Sequence, residues 1–302
     1  MKKLLLIILP CTIMALHGHT QNDPLYAQYL NNPLVINPAY TGLNNTLNTS
    51  LSYRNQWANF DGGASTVNIS AHTSLHDNKM GLGVLLVQDK IGSTKNTEAY
   101  ATYSYKLDLH GKQLSFGLQG GFMNFKSNDD ELNPYDQNDL LFSGHQNYTK
   151  LSLGAGIIVK TNRYFLGLSM PRMLRESVRI DGNTVNLTNR HVYIMAAYMI
   201  PLSSHVDFKP SILVKSVTGA PLSVDINTSF VLNQKYSIGL YTRNLNAYGT
   251  LVQIRFADAY RFGYAYEIPT NHSVGTRFTT QEISLGLNLS LFSFHDSSVS
   301  PF

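Results

Sequence analysis

Cysteine is nearly absent from this chain: Cys11 is the only one, and it lies in an apolar N-terminal stretch. The remainder can hold neither a disulfide framework nor a Cys-based metal site. A lipoprotein reading of Cys11 fits badly with Pro10 before it and with the short apolar run. Charge is sparse too, at 14% Asp, Glu, Lys and Arg. Without Lys2 and Lys3 the basic count falls from 23 to 21 against 19 acidic residues, and the net charge from +4 to +2. That balance excludes the strongly basic footprint of a nucleic-acid partner. No apolar run after the N-terminal stretch nears the roughly 18 residues of a membrane helix. The 3.6-residue period of an amphipathic helix is also missing. So are a Gly-x-Ser-x-Gly elbow and a His-Glu-x-x-His pair, while Gly81-Leu82-Gly83 lacks the spacing of a dinucleotide loop. These absences point away from an enzyme and call for no cofactor and no metal.

What is present is a two-residue alternation, kept from Leu47 almost to the end. Ala101, Tyr103, Tyr105, Leu107 and Leu109 alternate with Thr102, Ser104, Lys106 and Asp108. Ile283, Leu285, Leu287, Leu289 and Leu291 alternate with Ser284, Gly286, Asn288 and Ser290. Successive side chains on a strand point to opposite faces, so each strand has one apolar and one polar face. Many such strands in series predict an all-β fold: a transmembrane antiparallel β-barrel, apolar toward lipid and polar toward a lumen. The 18 Tyr and 14 Phe suit the membrane boundary, where a ring lies in the apolar layer and a hydroxyl in water. Glycines inside the strands, such as Gly81, Gly83, Gly117, Gly154 and Gly156, read as local bending and as room in the lumen.

Three regions follow. Residues 1–20 read as a signal peptide, with Lys2 and Lys3 before a short apolar core. Residues 21–46, with Pro24, Pro33, Pro38 and Gly42, break the alternation and form a non-strand segment, a periplasmic clasp or a plug in the lumen. Residues 47–302 form the barrel. About 14 strands are expected, the first at roughly 47–57 and the last at roughly 280–293, with bounds uncertain by about two to four residues. Every even-numbered connection is short, and the long loops, at about 127–148, 171–189 and 268–279, are all odd-numbered. Outer-membrane barrels have this parity, with short periplasmic turns and longer outside loops.

Two stretches carry a family resemblance. Residues 28–42 read Gln-Tyr-Leu-Asn-Asn-Pro-Leu-Val-Ile-Asn-Pro-Ala-Tyr-Thr-Gly, and residues 53–62 read Tyr-Arg-Asn-Gln-Trp-Ala-Asn-Phe-Asp-Gly. Together they resemble the PorP/SprF family of outer-membrane proteins, found in Bacteroidetes with the type IX secretion system and its gliding machinery. The resemblance continues through Asp89-Lys90-Ile91-Gly92, His191-Val192-Tyr193, Lys209-Pro210-Ser211 and Gly263-Tyr264-Ala265-Tyr266-Glu267. Two positions depart from the family pattern: Glu267 stands where an Asp is common, and Gln281-Glu282 where a His-Glu pair is. The resemblance implies an integral outer-membrane barrel that docks or helps display a secreted surface protein, such as an adhesin, through its C-terminal signal domain. It also implies periplasmic or lipoprotein components of the machinery as partners, beside outer-membrane lipids.

The partner-binding candidates fall in the same stretches. Asn31, Asn32, Pro33, Asn37, Pro38, Tyr40 and Gly42 would form a preshaped segment, since each residue before proline favours extended backbone and Asn closes turns. They would serve either as a partner site or as a clasp sealing the barrel. Arg54 and Gln56 fall on the polar phase of the first strand. Arg54 would either make a lumen ion pair or touch substrate. Trp57 falls on the other phase, toward the interfacial belt, and Phe60, Asp61 and Gly62 read as a surface turn. Asp129, Asp130, Glu131, Asp136 and Asp139 form a solvated acidic loop without the glycine of an EF-hand. The rival reading is a FadL-like or porin-like transport channel. Against an apolar cargo stands the polar phase itself, with Ser50, Ser52, Asn68, Ser70, His72, Thr102 and Ser104.

Overall fold

The alternating segments become strands, described in a computed structural model for residues 26–27, 29–128, 145–174, 177–180, 183–186, 190–270 and 276–295. Among these residues, fourteen antiparallel strands close into a barrel. In chain order they are β1 (Leu47–Asn55), β2 (Ser65–Leu75), β3 (Met80–Ile91), β4 (Thr94–Asp108), β5 (Gln113–Asn128), β6 (His145–Lys160) and β7 (Tyr164–Met170). There follow β8 (His191–Tyr198), β9 (Val206–Val217), β10 (Ser223–Leu232), β11 (Tyr236–Arg243), β12 (Ala247–Phe256), β13 (Tyr260–Pro269) and β14 (Thr280–Leu289). Each strand pairs with its sequence neighbour, and β1 pairs with β14 to close the ring. Closure removes the open edge that hydrocarbon, which offers no water to an unpaired peptide group, does not tolerate.

Register puts like side chains in belts around the wall. Leu51 lies opposite both Leu285 and Ile69, and the row runs on through Leu86, Ala99, Phe122 and Leu151. Its large members are well exposed, Phe122 at 61% and Ile69 at 48%, which makes this the lipid-facing surface. One residue along, Ser50, Ser52, Asn68, Ser70, Thr102 and Ser104 are buried on the inner face. Exposed Tyr105, Tyr198, Tyr236 and Tyr260 ring one end of the apolar band, and Tyr53 and Tyr248 mark the other. A tyrosine there keeps its ring in the apolar layer and its hydroxyl in water.

The connections sort by end. Short turns join β2 to β3, β4 to β5, β6 to β7, β10 to β11 and β12 to β13. Asn233-Gln234 and Ala257-Asp258 have positive φ at both positions, as a type I′ hairpin turn requires. The long connections β5–β6, β7–β8 and β13–β14 all lie at the opposite end.

Several expectations change in detail. The first strand stops at Asn55, and Trp57, at φ 57°, belongs to the turn beyond it. The last strand stops at Leu289 because the chain then folds back under the β2–β3 turn. There His295 Nε2 meets the Ser74 carbonyl at 3.1 Å, and the Leu291 N–H donates to His295 Nδ1 at 3.1 Å. The β7–β8 connection carries a small hairpin, Ser177–Ile180 paired with Asn183–Asn186, that alternation did not reveal. Strands β5 and β6 run further than expected into their loop. The acidic positions Asp129, Asp130, Glu131, Asp136 and Asp139 lie outside the described residues, as does the expected signal peptide.

Ile69 sits mid-strand on the lipid face. Ile69→Arg is expected to destabilise the folded barrel by about 2–4 kcal/mol, the cost of a cation near the bilayer midplane. Equilibrium unfolding from phospholipid vesicles checks it.

Candidate functional site in the lumen and at its mouths

The lumen is filled by the chain's own N-terminal segment. Two short 3₁₀ turns, Pro33–Val35 and Pro38–Tyr40, each open on a proline, whose fixed φ suits a first turn and whose missing N–H would be unpaired there anyway. The Asn37 carboxamide caps the second turn by accepting from the Ala39 N–H at 3.0 Å. Its Nδ2 also donates to the carbonyls of Ile157 and Leu168, both at 3.3 Å, which ties the segment to β6 and β7.

A non-strand backbone enclosed by a barrel leaves its carbonyls unpaired unless the wall supplies donors. The polar inner face does so. Ser169 Oγ donates to the Ile36 carbonyl at 2.6 Å, and Ser115 Oγ to the Ala39 carbonyl at 2.6 Å. Ser104 Oγ donates to the Thr41 carbonyl at 2.5 Å. Lys106 Nζ reaches the Gly42 carbonyl at 2.5 Å and Asn45 Oδ1 at 2.7 Å, while Lys160 Nζ reaches Asn44 Oδ1 at 2.9 Å. The Gly42 N–H donates to His72 Nδ1 at 2.9 Å, so that ring nitrogen carries no proton. Tyr40 is fully enclosed and accepts from Asn44 Nδ2 at 2.7 Å. Burial holds its phenol above the usual range, so it stays neutral.

The strand glycines now have a specific reason. A Cβ on Gly117 would stand 2.1 Å from the Ala39 nitrogen, one on Gly156 2.1 Å from Asn37 Oδ1, and one on Gly81 2.2 Å from the Thr41 carbonyl. The segment rests against bare wall at these points, so close approach rather than bending explains them. The polar phase also gives way along one sector. Ile158, Phe165, Tyr193, Met195, Ala197 and Leu213 point inward from β6 to β9 and pack on Leu34, Ile36, Ala39 and Leu43. Sequence reasoning missed this apolar cradle. Its signal was the inward phase of β8, where Tyr193, Met195 and Ala197 replace the small polar residues of β1 and β2.

Towards the long-loop end a buried ionic layer caps the segment. Arg54, 2% exposed, reaches Glu267 Oε1 at 3.1 Å and Glu282 Oε2 at 3.3 Å. Arg243 joins Asp225 at 3.1 Å and Glu267 at 3.3 Å, and Tyr241 donates to Glu267 at 3.1 Å. The layer is bound to the segment: the Ala27 N–H donates to Glu282 Oε2 at 2.7 Å, and Arg243 Nη2 to the Tyr26 carbonyl at 3.0 Å. Across the lumen Arg172 pairs with Glu98 at 2.6 Å. Glu267, which departs from the family pattern, and Glu282, which keeps it beside the departing Gln281, thus supply the two carboxylates around Arg54.

The thirteen candidate residues separate into three places. Asn31, Asn32, Pro33, Asn37, Pro38, Tyr40 and Gly42 lie in the lumen segment, where Asn32 Nδ2 donates to Ser70 Oγ at 3.0 Å and the Asn31 carbonyl accepts from Arg261 at 3.2 Å. Arg54 lies in the ionic layer. Gln56, Trp57, Phe60, Asp61 and Gly62 form the β1–β2 connection at the long-loop mouth. Phe60 is 46% exposed and packs edge-on against Phe278 at 5.1 Å and Trp57 at 6.2 Å, while Asp61 is exposed. The Ala58 N–H donates to the Thr279 carbonyl at 2.7 Å, fastening this turn to the start of β14.

These features define a class: an outer-membrane β-barrel whose lumen is filled by its own N-terminal segment. The sequence profile of the type IX secretion system membrane proteins PorP/SprF matches residues 18–287, and the chain belongs to that family. It is accordingly an integral protein of the outer membrane. No curated protein matches it. Among solved structures it is similar to the Pseudomonas putida toluene transporter TodX, at 10% identity over 86% of this chain and 95% of that one, with a TM-score of 0.49. It is also similar to the Acinetobacter baumannii outer membrane protein Omp33, at 9% identity over 82% of this chain and 100% of that one, with a TM-score of 0.45.

Two substitutions test the site. Arg54→Met leaves Glu267 and Glu282 buried with less compensation, and is expected to cost about 3–5 kcal/mol in denaturant unfolding. Gly117→Val pushes against the Ala39 backbone. It is expected to loosen the segment, so that planar bilayers carry steady ion conductance with this variant and none with the wild type.

Proposed function

We propose that this barrel docks a secreted surface protein for the type IX system through that protein's C-terminal domain, by recognition and without catalysis. The observation that carries the reading is the filled lumen. Residues 29–46 are bonded to the wall by Ser104, Lys106, Ser115, Lys160 and Ser169, so the barrel interior is committed to the chain's own segment. A barrel so occupied works through its ends. With short turns toward the periplasm, the long-loop end faces outward and presents the exposed Phe60-Asp61 turn. An exposed aromatic beside a carboxylate on a fastened loop suits a protein partner better than a diffusing solute. The periplasmic face would meet other components of the machinery.

Double substitution of Phe60 and Asp61 by Ala tests the reading. The expected outcome is loss of one surface-displayed substrate, and of its C-terminal domain from affinity pull-downs, while barrel level and heat-modifiable migration on gels stay unchanged. Removing an anchor of this kind weakens a complex by about 2 kcal/mol or more. Normal display together with ion conductance by the wild type would move the assignment to a channel.

A further inference from the structure

We propose that the short-turn mouth of the barrel is a second binding site, which takes an acidic peptide segment from the periplasm. A cavity of about 400 Å³ opens there, between the β6–β7 turn, the β10–β11 turn and the lumen-facing ends of β9 and β12. Its charged lining is Arg163, Lys209, Lys235 and Arg255, against one carboxylate, Asp207. Lys209 is 8% exposed and lines this cavity, and among the described residues it makes no hydrogen bond or ion pair. Asp207 does not pair with it. Arg255 spends Nη1 on the Gln234 carbonyl at 3.1 Å, and its buried Nε has no hydrogen-bond partner among the described residues.

A buried cation without a counter-charge costs free energy that an arriving anion recovers. A guanidinium beside an ammonium suits carboxylate, the first by a two-pronged contact and the second as a point charge. The size of the cavity falls in the range of about 300–1,000 Å³ that holds ligands larger than a simple ion. Met199 and Val231 add apolar wall that a peptide backbone and its methylene groups can cover. Lipid head groups are screened off. Lys209 lies on the inner phase of β9, with Ser211 and Leu213, while Ile212 faces outward at 38% exposure. The sheet therefore stands between this cation and the membrane. The inference rests on the outer-membrane placement, which turns the short connections to the periplasm, and not on docking at the opposite end.

The test is fluorescence anisotropy of a labelled oligoglutamate peptide with the full-length protein in detergent. Wild type is expected to bind it, to ignore oligoglutamine, and to bind more weakly as salt rises. Lys209→Met and Arg255→Gln are each expected to weaken binding at least about tenfold. Equal affinity of wild type and both variants, or no binding by wild type, overturns the proposal. Full displacement by inorganic phosphate at the peptide's own concentration also overturns it, assigning the site to a small anion. Lys235→Glu, on an exposed turn outside the packed lumen, supplies the same reading should either buried variant fail to fold. Normal surface display alongside failed peptide binding would reject this site alone.

Discussion

A peptide group in hydrocarbon has nothing to bond with except another peptide group or side chain, and this molecule meets that constraint twice. The outer solution is the closed ladder from β1 round to β14, which leaves no edge. The inner one is less regular. Residues 29–46 cannot join the ladder, because Pro33 and Pro38 lack the donor and hold the chain in 3₁₀ turns. Their carbonyls are paired instead by hydroxyls and ammonium groups on the inner face. The polar phase of the strands, which in an open pore would meet water, here serves as the donor set for a folded segment. It is also why the wall carries glycine at Gly81, Gly117 and Gly156, where backbone meets backbone.

Charge divides the lumen into two unlike ends. Under the long loops, cations and carboxylates are matched: Arg54 with Glu267 and Glu282, Arg243 with Asp225 and Glu267, Arg172 with Glu98. Buried pairs of this kind add little over apolar packing but make the loss of one member costly, so they favour a single arrangement of the segment they hold. At the short-turn end Lys209 and Arg255 line an open cavity without that compensation. A matched layer closes a mouth, and an unmatched one leaves it poised for an anion.

The barrel was legible from Leu47 onward because the side-chain period of a strand is two, and a one-residue slip would turn every apolar residue from lipid into the lumen. Loop lengths gave the ends, since every long connection falls at the same end of the barrel. The motif at residues 28–42 was visible as a special segment, and Arg54 as a residue on the inner phase. Strand ends were misjudged where the pattern ran past the last paired residue, at Trp57 and at Leu291, because periodicity reports a face and not a hydrogen bond. The hairpin at 177–186 was too short to show a period.

What the sequence determined by itself is the strand, its two faces and the sorting of its connections, all of which depend on neighbours one or two residues apart. Only the tertiary structure decided that residues 29–46 enter the lumen, that Glu267 and Glu282 meet on Arg54, and that Lys209 stands unmatched. Those facts join positions from 30 to 230 residues apart or, for Lys209, rest on the lack of a partner among the described residues. Nothing in a local pattern encodes which distant backbone a serine hydroxyl will reach once the ring has closed.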